Sequence, residues 1–590
     1  TLPFVDMNVS GISKNYIDTI YGYESGWGYT YDLVGEKVDS LNFGIDNQLT
    51  NNYQQDIHQI QNYVTPYGIG LDLGPYGFRW VYDVTDYLPL FKDTLEISAG
   101  NQQELIDLKF LFIHGTPPRD IIDFKTIWRG DYGHANIAND VSMPAVNVSL
   151  NPSATHHKIK TRTTGHWFGG FQNCAEFCPK LHHVKVNGTK LFEWVNWKEC
   201  SDNPVIDQGG TWIYDRAGWC PGTFGNTYNH EITPFLNPND TSVNIDYGME
   251  VTSGGMEGNY RTTVQMVSYG DHNFQNDAGI TDVLAPNEWE FHNRINPICD
   301  QPRILLKNTG EQDLTSVKLD YWICGGAHEN FTWNGTLAFD QEIEIELPIS
   351  SQAFWNSAQF CKDFHVEIMQ VNGVADECAE NNRYNTTFEV PPMYPENIVL
   401  WVRTNAAGHE TKLYVKDVDG NIVFSKTNYQ SNTLYRDTIT LQNGCYQIEL
   451  EDTGENGLDF FANNDGTGFF QIRKSTGPPL AGFESNFGKN IIHYFTVGYG
   501  LSINENSLNV GFECYPNPAN EVLNIKSSGF TNEIKVNVFD ASGRQVYKDV
   551  WITNHIYNTN QIDVSNFEKG MYLIQVSDDY NSKTQRFIHE

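Results

Sequence analysis

Two short motifs in this chain combine a carboxylate, a guanidinium and an aromatic ring. The first, Asn-Cys-Ala-Glu-Phe-Cys at 173–178, places Glu176 between two cysteines. The second, Asp-Arg-Ala-Gly-Trp-Cys-Pro-Gly at 215–222, contains Arg216 and Trp219. A disulfide could lock the first loop, the arginine could orient the carboxylate, and the tryptophan could exclude water. Together the motifs predict a rigid acid site.

Histidines are dense around the first motif and raise the question of a metal site. His156 and His157 are adjacent, as are His182 and His183, and His166 lies in a Gly-His-Trp run. Neighbouring side chains of a strand point to opposite faces, so the members of a pair cannot readily share a metal. The pattern favours hydrogen-bonding histidines, and we assign no metal to them. The sequence also lacks a nucleophile elbow and a glycine-rich phosphate loop.

The composition predicts a large, exported, all-β protein. A chain of 590 residues is too long for one core and is expected to form about four or five domains. Its formal charge is −35 and it has no basic run, so the chain repels phosphate backbones and anionic membrane surfaces, and we expect no nucleic-acid partner. Hydrophobic residues (39%) and aromatic residues (13%) can supply cores. Glycines, tyrosines and short alternating runs favour strands over helices.

The hydropathy of the sequence predicts no membrane-spanning segment. No window approaches the ~18 consecutive apolar residues of a transmembrane helix. The sequence starts at Thr1 without a charged or an apolar leader region. We therefore expect that a signal peptide was removed or lies upstream.

The ten cysteines fit disulfides better than zinc. No second close pair of cysteines or histidines completes a four-ligand zinc set. Cys361 and Cys378 are a plausible pair from their proximity in sequence. Disulfides indicate an oxidising compartment and hence export.

The C-terminal region, 510–590, has the pattern of a small β-sandwich. Period-2 runs at 521–525, 535–547 and 569–576 are joined by Asp-Ala-Ser-Gly and Lys-Gly turns. The region resembles the C-terminal sorting domain of type IX secretion cargo in Bacteroidetes-type bacteria. The resemblance implies an outer-membrane translocon as partner, export to the cell surface or the medium, and no part in catalysis.

Two further β-modules are expected between 296 and 500. In the first, 296–392, every second residue of one run is apolar: Val317, Leu319, Tyr321 and Ile323. Such a run buries one face of a strand, so we predict an Ig-like sandwich. Proline-rich 391–395 reads as a stiff linker. In the second, 393–500, the acidic stretch around Asp452–Asp459 could hold calcium. It lacks the EF-hand register, and solvated turns explain the same composition.

The first 295 residues are where the two chemical motifs lie. The motif pair resembles the peptide-N-glycosidase F family, whose members cut the amide bond between asparagine and the first sugar of an N-glycan. The resemblance covers about 60–235. It implies two eight-stranded jelly rolls, 1–140 and 141–295, with the active site where they meet. Three strand-like segments match the family's N-terminal lobe in order: 63–70, 81–86 and 110–117.

The resemblance also assigns roles. Hydrolysis of an unactivated amide needs a base for water, a proton donor for the leaving amine and charge for the oxyanion. Glu176 and Arg216 match the family's loop glutamate and its arginine partner, and an adjacent arginine predicts a lowered carboxyl pKa. Trp219 and His166 are assigned to substrate binding. The implied disulfides are Cys174–Cys178 and Cys200–Cys220.

The chain departs from the family at two other acids. If Trp27 matches the family's tryptophan, Gly28 stands at the position of the leading acid. The second acid falls near 98–103, which contains no carboxylate. Four aspartates could substitute: Asp32, Asp39, Asp46 and Asp56. The predicted function is hydrolysis or recognition of the asparagine–glycan linkage. The alternatives are a non-catalytic glycan-binding surface protein and, since the same architecture serves copper-dependent peptide monooxygenases, an enzyme of that type.

Overall fold

The computed structural model describes residues 4–590 apart from a set of short segments and single positions. Those outside the description are 14–18, 32–36, 52–53, 69–70, 72, 74–76, 93–94, 101–105, 169–173, 207, 252–257, 360, 499–510, 529–532, 542, 553–556 and 578–581. Only the backbone is described for 4–13, 19–31, 37–51, 54–56, 511, 528, 533, 552, 557–559 and 582. The chain forms two compact units, Thr1–Leu501 and Ser502–Glu590.

The architecture is all-β, as the composition predicts. Strands pair almost entirely antiparallel, and the helical elements of the described residues are short. They are an α-helix, α1, at His134–Ala138 and 3-10 helices at Thr85–Leu90, Thr233–Phe235, Glu290–His292, Gln352–Gln359 and Gly408–Glu410. In the part of the chain that is described, no helix has the length and apolar character needed to cross a bilayer.

The N-terminal region contributes five described strands in two small sheets, ordered β4-β1-β5 and β2-β3. They are β1 Phe4–Ser13, β2 Thr19–Tyr31, β3 Lys37–Asn51, β4 Gln54–Val64 and β5 Glu96–Ser98. Of the three predicted strand segments, 63–70 is strand, among its described residues, only at Tyr63 and Val64, the end of β4, and the other two are wrong. Residues 81–86 run into a 3-10 helix that Asp83 starts by accepting a hydrogen bond from the Thr85 N–H (2.9 Å). Residues 110–117 form no strand, and Leu111 to Ile113 stay exposed.

The next region is a jelly roll of two facing four-stranded sheets, ordered β10-β9-β12-β7 and β11-β8-β13-β6. Its strands are β6 Arg119–Gly133, β7 Val146–Ser149, β8 His156–His166, β9 Leu181–Val186, β10 Thr189–Val195, β11 Thr227–Glu231, β12 Ser242–Met249 and β13 Asn259–His272. Apolar side chains of both sheets meet in one core. β8 is central and buried along most of its length, and its β-branched threonines suit that position.

The two N-terminal regions meet along β4 and the long loop before β11. Tyr63 pairs with Phe224, and the Val64 N–H donates to the Thr223 carbonyl (2.8 Å). Ile60 packs with Phe124 of β6 in a shared apolar cluster. This contact carries the residues after β4 to the loop that contains Arg216.

The Ig-like module consists of a three-stranded and a four-stranded sheet, ordered β14-β15-β18 and β17-β16-β19-β20. The predicted face of β16 is confirmed, since Val317, Leu319, Tyr321 and Ile323 are all buried. The strands are β14 Ala278–Ala285, β15 Arg303–Asn308, β16 Leu314–Ile323, β17 Glu329–Leu337, β18 Glu342–Glu346, β19 Asp363–Val371 and β20 Arg383–Thr387.

The next module is a second sandwich, with sheets ordered β21-β29-β26-β23-β24 and β25-β22-β27-β28 around its own core. Its strands are β21 Met393–Tyr394, β22 Asn397–Arg403, β23 Thr411–Asp417, β24 Ile422–Lys426, β25 Leu434–Thr440, β26 Gly444–Asp452, β27 Phe469–Arg473, β28 Pro479–Gly482 and β29 Asn490–Val497. The boundaries at 140, 295, 392 and 500 stay predictions.

The C-terminal unit is a sandwich of sheets β30-β31-β34 and β33-β32-β35-β36. Its core includes Val536, Val538, Ile574 and Val576, which alternate along the predicted strands. The strands are β30 Gly511–Tyr515, β31 Val522–Ser528, β32 Glu533–Asp540, β33 Gln545–Ile552, β34 Tyr557–Asp563, β35 Gly570–Ser577 and β36 Ser582–His589.

Two disulfides differ from the predicted set: one replaces the expected Cys361–Cys378 pair, and one joins the two sandwich modules. Cys361 pairs with Cys324, not with Cys378, because the Cys324 N–H donates to the Asp363 carbonyl (3.0 Å) and brings the two segments together. Cys378 is buried and free. A further disulfide joins the two sandwich modules, Cys299–Cys445 (Cα–Cα 5.9 Å).

Candidate active site

Glu176 lies on the loop between β8 and β9, and that loop is pinned at several points. A disulfide joins Cys174 to Cys178, with their Cα atoms 5.4 Å apart. The Glu176 N–H donates to the Trp167 carbonyl (3.2 Å), and its own carbonyl accepts from the Ala217 N–H (2.9 Å). The loop therefore holds Glu176 against both β8 and the Arg216 segment.

Arg216 lies on the long loop between β10 and β11. The Cys200–Cys220 disulfide closes this loop, with Cα atoms 5.5 Å apart, as the family resemblance implies. Arg216 and Lys198 exchange backbone hydrogen bonds of 2.9 and 3.1 Å. The loop is thus ordered by a short ladder as well as by a covalent bond.

Two glycines, Gly165 of β8 and Gly218 of the second motif, allow the loops to approach one another. Gly165 passes so close to the Ala175 carbonyl that a Cβ at this position would overlap it. Gly218 has φ +80°, and a Cβ there would collide with the Thr163 carbonyl. Both positions therefore need glycine.

The side chains of the two motifs form a buried ion pair. Arg216 Nε donates to Glu176 Oε1 at 3.1 Å. The arginine side chain is 0% exposed and the glutamate side chain 12% exposed. The remaining guanidinium nitrogens donate to the carbonyls of Tyr214 (2.5 Å) and Thr211 (2.8 Å). Arg216 is therefore a positioning residue, and of the two side chains only that of Glu176 is in contact with solvent.

Aromatic rings surround the guanidinium. Its central carbon lies 4.9 Å from the ring centres of Phe177 and Trp219 and 5.6 Å from that of Tyr67. Tyr67 comes from the segment after β4, so both N-terminal regions contribute to the site. The sequence analysis missed Tyr67, Phe177, Tyr214 and Thr211; the Thr-Pro-Tyr run at 65–67 was the available signal for the first.

Trp219 is buried in the structure, and its assignment to substrate binding stays a prediction. The residue is only 2% exposed, and its indole N–H donates to the Gly165 carbonyl (2.8 Å). Its ring stacks on that of His166, with centres 5.6 Å apart. His166 Nε2 in turn lies 2.9 Å from Thr164 Oγ1. Trp219 thus packs between the Arg216 guanidinium and the His166 ring.

The electrostatics of the pair differ from the prediction. Burial raises the pKa of the Glu176 carboxyl, and this outweighs the lowering effect of Arg216. Burial also lowers the pKa of Arg216 and raises that of the Tyr67 hydroxyl. The expectation of a lowered carboxyl pKa was wrong because it considered the charge of the partner without the loss of water. Burial lowers the pKa of His166 to about 3, so this imidazole is neutral.

The histidine pairs separate as predicted. His182 is buried with its Nδ1 2.6 Å from the Tyr247 hydroxyl, and His183 lies on the other face of β9 against Gly248. His157 Nδ1 is 2.9 Å from the Ser268 hydroxyl. Among the described residues, one set of three potential metal ligands comes together: Cys324, Cys361 and Asp363. Its two cysteines form a disulfide.

The acidic stretch proposed for calcium has a clear local role. The Asp452 carboxylate is buried and accepts hydrogen bonds from the N–H groups of Asn456 (2.8 Å) and Gly457 (2.9 Å). Burial raises the pKa of Asp452 to about 6. Asp452 thus closes the turn of this loop, and calcium binding between Asp452 and Asp459 stays a prediction.

The candidate side chains for the further acids lie outside the described part of the structure. Asp32 and 101–103 lie outside the described residues, and only the backbone is described at Trp27 and Gly28. The same holds for three other candidate aspartates: Asp39, Asp46 and Asp56.

Two sequence families match parts of the chain. The family described as "Peptide-N-glycosidase F, C terminal" matches residues 134–269, the jelly roll that carries Glu176 and Arg216. The chain therefore contains a peptide-N-glycosidase F-like module that includes this jelly roll. The family described as "Secretion system C-terminal sorting domain" matches residues 513–590. The protein is therefore type IX secretion cargo, exported to the cell surface or the extracellular space.

Individual relatives agree with the family match. The peptide-N-glycosidase F-like module is similar to "Peptide-N(4)-(N-acetyl-beta-D-glucosaminyl)asparagine amidase F" of Elizabethkingia miricola, 27% identical over 186 residues. That alignment covers 28% of this chain and 51% of the relative, so the chain spans about half the length of the curated protein it matches.

Solved structures of the same group are also similar. PNGase F, a glycosylasparaginase from Flavobacterium meningosepticum, is 19% identical, covers 46% of this chain and 85% of its own, and has a TM-score of 0.31. A structure of PNGF-II is 16% identical, covers 46% of this chain and 57% of its own, and has a TM-score of 0.28.

Proposed function

We propose that the peptide-N-glycosidase F-like module hydrolyses the amide bond between asparagine and the first sugar of N-linked glycans on glycoproteins. The observation that carries the proposal is the Glu176–Arg216 pair. A carboxylate is held on a disulfide-closed loop by a guanidinium that has no exposed surface. Its matched relative is named as an amidase acting on a glucosaminyl asparagine linkage.

The geometry gives Glu176 a defined part in such a reaction. One carboxylate oxygen is engaged by Arg216, and within the described residues the other has no hydrogen-bond partner. That oxygen is free to bind the substrate amide or the first sugar. Because the pKa of this carboxyl is raised, it is also suited to passing a proton to the departing amine.

The reaction adds water across one bond. Water oxygen attacks the amide carbon, the carbon–nitrogen bond breaks, and the sugar leaves as a glycosylamine that takes up a proton. The peptide keeps an aspartate in place of the asparagine. Arg216 affects these steps by fixing the position and the charge of Glu176, because its other nitrogens bind backbone carbonyls.

The proposal is tested with a glycopeptide, comparing the wild type with Glu176→Gln. The substitution keeps the shape of the side chain, so we expect a similar KM and a kcat lower by more than about a hundredfold. The matched control is Glu199→Gln, an exposed glutamate of the Cys200 segment, which should keep wild-type turnover. The proposal fails if the wild type leaves every N-glycan attached, or if Glu176→Gln retains full turnover. Glycan binding without release would identify the non-catalytic alternative.

A further inference from the structure

The second sandwich module, 393–500, reaches the candidate active site through one loop. The loop follows β26 and contains the adjacent residues Phe460 and Phe461. Phe460 is buried in a small cluster with Trp212 and Ile213, which lie just before Arg216. Phe461 is 66% exposed. One phenylalanine anchors the loop and the next presents its ring to solvent.

The two rings extend a continuous line of aromatic side chains from Glu176. We call the aromatic ridge the set Phe168, Phe177, Tyr214, Phe460 and Phe461. Neighbouring ring centres are 5.7, 6.1, 5.5 and 5.2 Å apart in that order. Phe168 is 67% exposed and Tyr214 42% exposed. The ridge therefore includes Phe177, the residue after Glu176, and ends on the other module; three of its five rings, those of Phe168, Tyr214 and Phe461, are exposed.

The loop is held firmly in place. Glu455 Oε2 accepts a hydrogen bond from the Ser201 hydroxyl (3.0 Å). Behind it, Arg294 donates to the carbonyls of Ser201 (3.0 Å), Asn203 (2.6 Å) and Phe487 (2.9 Å). These contacts join the disulfide-closed Cys200 segment to the module. The far end of the ridge is thus rigid relative to Glu176.

We infer that the aromatic ridge is a subsite for the outer sugars of the glycan, so that the module 393–500 forms part of the substrate cleft. This inference rests on the proposed function. Exposed aromatic rings offer flat apolar faces of the kind on which the apolar faces of sugar rings stack. Asn464 lies three residues after Phe461 and is exposed, and its side-chain amide can bond to hydroxyl groups. The chain's charge of −35 disfavours an acidic polypeptide and has no such effect on a neutral oligosaccharide.

The test compares one peptide carrying a complete neutral N-glycan with the same peptide trimmed to a single N-acetylglucosamine. Phe461→Ala should lower kcat/KM for the complete glycan by about tenfold, the effect of losing one stacking contact. It should leave the trimmed substrate unaffected. The matched control is Phe235→Ala, which should keep the wild-type kcat/KM for both substrates. Phe235 is partly exposed and lies near His157, at the opposite end of β8 from His166.

Each outcome decides the matter. Equal losses on both substrates, or no loss, would overturn the subsite. In a second pair of glycopeptides with a longer peptide, a loss that grows with the peptide and not with the glycan would overturn it in favour of a polypeptide occupant. Calorimetry with the free oligosaccharide separates this inference from the proposed function. If the wild type hydrolyses nothing but Phe461→Ala still weakens oligosaccharide binding, the subsite stands and the amidase proposal falls. If the wild type hydrolyses both substrates equally well, the amidase proposal stands and the subsite falls.

Discussion

Arg216 donates one hydrogen bond from Nε to Glu176 Oε1, at 3.1 Å, while its own side chain has no exposed surface. The arginine is enclosed by Tyr67, Phe177 and Trp219 and satisfied by backbone carbonyls. It can therefore influence a substrate only through the carboxylate that it holds. The local fold of both loops serves to bring these two side chains together.

Removing the arginine should cost stability in a pH-dependent way. We expect Arg216→Met to destabilise the jelly roll by about 3 kcal/mol at neutral pH, because it leaves a buried carboxylate unpaired. The loss should shrink as the pH falls, since the pKa of Glu176 is already raised and rises further without Arg216. Hydrogen exchange of peptides from 134–269 measures this module alone. The double variant Glu176→Gln, Arg216→Met should recover part of the loss; no recovery would contradict the pairing.

Acid should destabilise the jelly roll through His230. Burial against Phe192 and Trp194 lowers the pKa of this histidine to about 4 from an ordinary value of 6.5. A lowered folded-state pKa contributes stability that is present above 6.5 and is lost as the pH falls toward 4. The wild type should lose up to about 1 kcal/mol per pH unit in this window from His230, and His230→Phe should not.

The control for this measurement is His409→Phe, at an exposed position. Its stability should follow the wild-type curve. Parallel pH profiles for the wild type and His230→Phe would show that the histidine is not the source of the loss.

The disulfide between the two sandwich modules should stabilise the protein more than the one beside Glu176. Cys299 and Cys445 are 146 positions apart, whereas Cys174 and Cys178 are 4 apart. In the chain-entropy account, removing the first costs about 5 kcal/mol and removing the second about 2 kcal/mol. Pulse proteolysis of the two paired Cys→Ala variants in urea compares them. Equal losses would contradict this ranking.

Deleting 510–590 should block export without unfolding the rest. The matched sorting domain lies in the separate unit Ser502–Glu590, and the cores of the other modules lie within Thr1–Leu501. We expect the truncated protein to stay in the periplasm, protease-resistant and oxidised. Fractionation and immunoblotting measure this. Normal appearance of the truncated chain in the medium would refute the sorting role.

The sequence predicted what depends on local pattern. The Glu176 loop, its cysteines and the alternating face of β16 are short-range features, and the structure shows them. The contacts of Tyr67 with Arg216 and of Phe460 with Trp212 join distant segments, so no local pattern reveals them. The sign of the Glu176 pKa shift failed for a related reason. Charge pairing is visible in a motif, but the desolvation that outweighs it depends on how the whole site is buried.

The inward orientation of Trp219 shows the same limit. The motif places an aromatic residue close to the arginine in sequence, but whether its ring faces a ligand or the core depends on the packing around it. With the indole N–H bonded to the Gly165 carbonyl, the ring supports Arg216 from below. Exposed rings in this part of the protein include those of Trp167, Phe168, Tyr214 and Phe461.

The central claim, that this protein is an amidase acting through Glu176, is tested most directly by glycopeptide hydrolysis in heavy-oxygen water. We predict that the wild type converts the glycosylated asparagine to an aspartate carrying one heavy oxygen and releases the intact glycan as its amine, and that Glu176→Gln does so more than about a hundredfold more slowly. Mass spectrometry of the peptide reads both changes. A peptide that keeps its asparagine, whether with the whole glycan or with a single sugar still attached, would contradict the account.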